Sequence, residues 1–151
     1  MNASHREASV NYEQLHKLTH IMTRDATEVL KMFRNMVFNV FARNRDDHAK
    51  NHAFLMDGNG RWSLAPAYDL TFSSGPGGEH STAIAGEGRN PGMSHLLAVS
   101  RGASISDQDA REVIEQVRAA VDRWPEFAEE VQLSRTRTAE LDKFLNGNRL
   151  A

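Results

Sequence analysis

The chain has 151 residues, 40% of them hydrophobic and 25% charged, and a formal net charge of −2. That length is one domain, able to bury about two-thirds of its unfolded surface, and the charge balance gives no overall pull toward nucleic acid or anionic membrane. There is no cysteine, which excludes disulfides, thiolate metal sites and cysteine nucleophiles, and no run approaches the roughly 18 apolar residues of a membrane span.

The opening residues, MNASHREASVNYEQ, lack the apolar core of a signal peptide. The expectation is a soluble, cytoplasmic chain, with a flexible N-terminus over residues 1–10 and one folded unit over 11–151. The first helix starts behind Asn11 as N-cap, with Tyr12, Leu15, Leu18 and Ile21 or Met22 at helical spacing. DATEVLKMFRNMVFNVFARN is the clearest element. Asp25 followed three residues later by Glu28 resembles a capping box, and the second half is apolar on nearly every side. Such a helix is buried around most of its circumference.

HAFLMDGNGRWSLA reads as two short strands joined at Asp57–Gly60, because Asp-Gly and Asn-Gly are strong hairpin dipeptides. Residues 73–92, rich in Gly, Ser and Pro, read as loop, and a loop of that length is either functional or disordered. MSHLLAVSRG, then SDQDAREVIEQVRAAVDRW capped by Ser106, then PEFAEEV and RTAELDKFL complete the chain as helices, the last ending near Gly147. The fold class is mainly α with one small β-hairpin.

The chemistry concentrates at RNRDDHAKN. Asp46 and Asn51 stand five residues apart, the spacing of the protein-kinase catalytic loop H-R-D-x-x-x-x-N, with Asn44 in the place of its histidine. In that loop the Asp accepts the proton of the substrate hydroxyl and the Asn holds a metal. Asp47 falls out of register, since five residues on it meets His52, a poor magnesium ligand. Asp69 follows the hairpin in APAYDLT, at the position of the Asp of D-F-G but without its glycine. A hairpin returns its two ends to one rim, so Asp46, Asn51 and Asp69 are expected to converge.

Each residue also has a plainer reading. Asp46 and Asp47 can be solvated loop charges, Asn51 a turn residue bonded to its own backbone, and Asp69 the cap of a short helix. Lys50 can be a solvent-facing charge and His48 a structural hydrogen-bonder. HAKNH lacks the Glu of a zinc-protease H-E-x-x-H. DGNGRW departs from the calcium loop at Arg61 and Trp62, and GEGRNPG misses the G-x-G-x-x-G spacing by one residue.

The stretches MVFNVFARNRDDHAKNHAFL and WSLAPAYDLTFSSGPGGEHSTAIAGEGRNP resemble the C-terminal region of HipA-type serine/threonine kinases, the toxins of bacterial toxin–antitoxin modules, over about residues 12–140. The family's D-x-H-x-x-N falls on Asp46 to Asn51 and its P-x-Y-D on Pro66 to Asp69. The resemblance implies a protein-kinase-like C-lobe that works with Mg2+ and ATP. It makes Asp46 the catalytic aspartate, Asn51 and Asp69 the metal ligands, and His48 and Lys50 contacts to the nucleotide. In the family the glycine-rich loop and the lysine–glutamate pair that grip ATP precede this region, and some 24 residues before the buried helix are too few for that N-lobe. The expectation is therefore a lobe that is inactive or incomplete alone. Its partners are an antitoxin-like protein or a separate N-lobe polypeptide, together with a protein substrate, and nucleic acid is reached only through an antitoxin. The alternatives are a non-catalytic module that binds an antitoxin-like partner and, more weakly, a metal-dependent phosphohydrolase.

Overall fold

The computed structural model describes residues 10–146. The expected flexible segment therefore lies outside the described residues except for Val10, as does Gly147. Among the described residues there are six helices and one hairpin: α1 (Tyr12–Thr23), α2 (Ala26–Phe41), β1 (Phe54–Met56), β2 (Trp62–Leu64), α3 (Met93–Gly102), α4 (Asp107–Asp122), α5 (Trp124–Glu130) and α6 (Arg135–Asn146). The mainly helical architecture with a single small hairpin is as the sequence implies.

Helix α2 is the axis. Met32, Phe33, Met36, Val37 and Val40 are each 0% exposed, and α1 and α4 pack on either side of it. Truncating a side chain such as Phe33 to Ala would cost about 3–5 kcal/mol. Helix α4 contributes Ala110, Val113, Ile114 and Val117, one stripe at i, i+3, i+4 and i+7. Its N-cap is Ser106, whose hydroxyl accepts the amide of Asp109.

Two local expectations are corrected. Helix α1 begins at Asn11 with a full capping box closed by Gln14, but its inward face is Tyr12, Leu15, His16 and Thr19, while Leu18 and Ile21 are exposed. His16 and Thr19 can be buried because each side chain bonds the carbonyl four residues back, Tyr12 O and Leu15 O. At α2, Asp25 caps by accepting the amide of Thr27 at 2.8 Å, but Glu28 does not close a box. It turns instead to the hairpin and accepts the amide of Leu64 at 2.7 Å, with Lys31 on its other oxygen.

The hairpin pairs Phe54 with Leu64, Leu55 with Ser63 and Met56 with Trp62. Asp57 shapes its turn by accepting the amides of Asn59 and Arg61. Strand β2 lies on α1 and α2, and the Leu64–Glu28 bond ties it to the first turn of α2.

Residues 73–92 form an ordered loop. Ile84 is 0% exposed in the main core, the amide of Tyr12 donates to Ala83 O at 3.0 Å, and the amide of His80 to Gly88 O at 2.7 Å. Among the described residues no helix is long and apolar enough to cross a membrane.

Candidate functional site

The chain leaves α2 through Arg43, whose φ is 49°, and runs extended past Asn44 to His48. Neighbouring side chains on extended backbone face opposite ways. Asp46 accordingly faces out and is exposed, whereas Asp47 faces in and is 0% exposed. A short 3₁₀ turn, Ala49–Asn51, then curls the chain back. This turn makes sense of the five-residue spacing, because it lets Asn51 Nδ2 donate to the carbonyl of Asp46 at 3.0 Å.

The same amide donates to Asp69 Oδ2 at 3.0 Å. Asp69 is carried there by the hairpin: the amide of Ala65 prolongs the strand pairing to Ala53 O, and the Tyr68 hydroxyl donates to Lys50 O. Asn51 and Asp69, 18 residues apart, thus meet, and Asn51 links them to Asp46. Asp69 has φ 55°, a left-handed conformation that a non-glycine residue keeps only where its surroundings impose it. Asn44 Nδ2 imposes it by donating to Asp69 O at 3.1 Å.

His48 and Lys50 flank the turn. Lys50 is exposed, and His48 leaves its Nδ1 buried without a hydrogen-bond partner among the described residues.

Three groups of residues escaped the sequence reading. Asp47 is no solvated charge. It accepts from Tyr12 Oη at 2.9 Å, from His80 Nδ1 at 2.9 Å, and from the amides of Ser81 and Thr82 at 2.9 and 3.3 Å. Burial, reinforced by the Asp47 charge, holds the Tyr12 hydroxyl well above its ordinary pKa, so it remains a donor. Arg45, on the other side of Asp46, donates to Gly78 O at 2.6 Å and Arg89 O at 2.8 Å. Asp47 and Arg45 together pin the 73–92 loop against the Asp46 segment. Behind them, Asn39 Nδ2 donates to Tyr12 Oη at 2.9 Å and Asn44 Nδ2 to Asn39 Oδ1 at 3.0 Å. The in–out alternation of extended backbone was the one signal available for Asp47. Nothing local marks Tyr12 or Asn39, which are brought in by the packing of α1 on α2.

The arrangement is an exposed carboxylate on a loop fixed at the end of a buried helix, beside an Asn–Asp pair at the mouth of a hairpin. A helical lobe of this kind is found in solved structures. The chain superposes on HipA from the Shewanella oneidensis MR-1 HipA, HipB and operator DNA complex with a TM-score of 0.74 at 20% identity, covering 92% of this chain and 35% of that one. Residues 1–124 match the model of the HipA-like C-terminal domain, and the chain belongs to that family. It is also 42% identical over 53 residues to the Sinorhizobium fredii (strain NBRC 101917 / NGR234) protein named "Putative kinase Y4mE". That match covers 35% of this chain and 12% of the relative, so the chain spans a small part of the curated protein it resembles.

Proposed function

We propose that the chain carries the catalytic-loop side of a phosphoryl-transfer site of a serine/threonine kinase. In this reading Asp46 accepts the proton of a protein hydroxyl, and Asn51 and Asp69 hold the magnesium of Mg-ATP. The observation that supports it best is the Asn51–Asp69 pair at 3.0 Å, with Asn51 also bonded to Asp46 O. It brings the proposed base and the two proposed metal ligands together within one short loop and one hairpin exit.

The donor set fits magnesium. Asp69 offers a carboxylate and Asn51 an amide oxygen, both hard ligands. Among the described residues no group of three or more His, Asp or Glu side chains is placed to cage a metal. Magnesium is commonly held by one or two carboxylates, with water and phosphate oxygens completing its shell. Bound there, it would neutralise charge on the phosphates being transferred. Asp46, exposed at the rim, is free to meet an incoming hydroxyl, and His48 and Lys50 lie on the same turn as the contacts proposed for the nucleotide.

Kinase turnover also needs a lysine–glutamate pair over the phosphates, so binding is the cleaner test for this chain. Thermal unfolding is followed with and without excess Mg-ATP, beside Asp69→Asn. At 100 times its dissociation constant a ligand adds about 2.7 kcal/mol, a rise on the order of 5–10 °C for a domain this size. The rise is expected in the parent chain and lost in the variant. No rise in either would overturn the reading.

A second reading, a module that binds an antitoxin-like partner, is favoured by the solved neighbour being a complex of HipA with HipB and operator DNA. Under it, substitution of Asp46, Asn51 and Asp69 leaves partner binding intact, and nucleic acid is contacted through the partner.

A further inference from the structure

The hydrogen bonds behind the site close into a ring. Tyr12 Oη donates to Asp47, Asn39 donates to Tyr12 Oη, and Asn44 donates both to Asn39 and to the carbonyl of Asp69. Asn51 then joins the Asp69 carboxylate to the carbonyl of Asp46, and the 46–47 peptide bond completes the circuit. Tyr12, Asn39, Asn44 and Asp47 are at most 3% exposed. The three bonds among these four residues are therefore made where a missing partner cannot be replaced by solvent, whereas the Asn44 bond to Asp69 is half-buried and the two Asn51 bonds are exposed.

We infer that Tyr12, Asn39 and Asn44 are positioning residues for Asp69, so that a phenol on helix α1 sets how well the hairpin exit holds a divalent cation. The inference rests on the phosphoryl-transfer reading, since it takes Asp69 to face the metal. Its physical basis is the left-handed backbone of Asp69. The carbonyl of Asp69 is held by Asn44, whose own amide is oriented by Asn39. Asn39 is in turn oriented by a hydroxyl with a single proton, and that proton is committed to Asp47. Reversing or losing one member frees the Asn44 amide to rotate, and Asp69 then loses the bond that holds its φ at 55°. Tyr12 touches neither substrate nor metal and acts through this chain of amides.

The experiment uses the whole chain, 15N-labelled, with Mn2+ as a paramagnetic probe. Side-chain amides of Asn39, Asn44 and Asn51 are visible alongside the backbone, so both the ring and the metal site are read in one spectrum. In the parent chain Mn2+ is expected to broaden Asn51 and Asp69 first. Tyr12→Phe keeps the buried ring but removes the hydroxyl. It is expected to move the Asn44 side-chain signals and to weaken Mn2+ binding at least about tenfold, the scale on which outer-shell partners act.

Asn39→Leu breaks the ring at another bond and is expected to give the same loss, which covers failure of either variant to fold. Ser100→Ala removes a buried hydroxyl outside the ring, one that donates to Leu97 O at 2.9 Å, and is expected to bind Mn2+ like the parent. Unchanged affinity in Tyr12→Phe, or equal weakening in Ser100→Ala, overturns the inference and leaves the functional reading standing. No broadening at Asn51 and Asp69 in the parent, with Mn2+ alone and with Mn-ATP, overturns the functional reading and the inference with it.

Discussion

Asp46 and Asp47 share a peptide bond and stand in opposite surroundings: Asp46 is exposed, whereas Asp47 is 0% exposed and accepts from Tyr12, His80 and two backbone amides. Removing the Asp47 carboxylate strands all of those donors in the interior. Asp47→Ala is therefore expected to cost about 3–5 kcal/mol of folding stability, as removal of one partner from a buried polar cluster does. Asp46→Asn changes a solvated group and is expected to stay within about 0.5 kcal/mol. Urea denaturation of the two variants checks this, and similar midpoints for both would refute the division of labour.

How far the sequence carries is clear from particular residues. Helix α2 was legible because its apolar run has one structural solution, and the hairpin because Asp57 to Gly60 has the chemistry of a tight turn. The phase of α1 was not. Leu15 and Leu18 suggest one stripe, while the fold buries His16 and Thr19, whose Nδ1 and Oγ1 bond backbone carbonyls within the helix. Glu28 sits at capping-box spacing, but a better partner, the amide of Leu64, arrives from 36 residues away. In the candidate site the hairpin, which returns its two ends to one rim, anticipated that Asn51 and Asp69 would meet. The buried ring behind them depends on how α1 packs on α2, and no local pattern encodes that.

Asp69 allows a separation of backbone strain from chemistry. At φ 55° asparagine is tolerated nearly as well as aspartate, because its short side chain bonds locally, whereas alanine meets the full penalty of the left-handed region. Asp69→Asn is expected to match the parent within about 0.5 kcal/mol, and Asp69→Ala to lose about 1–2 kcal/mol. Denaturant unfolding decides it. Equal loss in both would mean that the charge, and not the backbone conformation, stabilises this turn.

The buried histidines give the fold an acid limit. Burial lowers the His16 pKa to about 4, opposed by its bond to Tyr12 O, and burial also lowers that of the half-buried His52. The folded state therefore resists a proton that the unfolded chain accepts near pH 6.5. Stability is fully present above pH 6.5 and falls as pH drops toward about 4, by an amount on the order of 3 kcal/mol for His16. Urea midpoints at pH 7 and pH 4.5 measure the fall. His16→Met, which cannot take a proton, is expected to flatten it, and an equally steep fall in that variant would remove His16 from the account.

Gly75 marks where the 73–92 loop is hinged onto Arg45. Its φ is +72°, and a Cβ there would stand 2.1 Å from Glu79 O and 2.6 Å from Arg45 Cβ. Neither neighbour can step aside cheaply, since one is backbone and the other is the base of a side chain whose guanidinium is bonded to Gly78 O and Arg89 O. Gly77, two residues on, has φ +66° but open space around it. Gly77→Ala is thus expected to cost about 1 kcal/mol of backbone strain and leave the loop in place. Gly75→Ala is expected to displace the loop from Arg45, because the two overlaps cannot both be relieved with those bonds intact. Limited proteolysis reads the difference: cleavage within residues 74–92 should rise well beyond about tenfold in Gly75→Ala and no more than about fivefold in Gly77→Ala, given that each 1.4 kcal/mol of lost local stability raises the open population tenfold. Equal cleavage of the two variants would show that the loop does not depend on the close approach at Gly75.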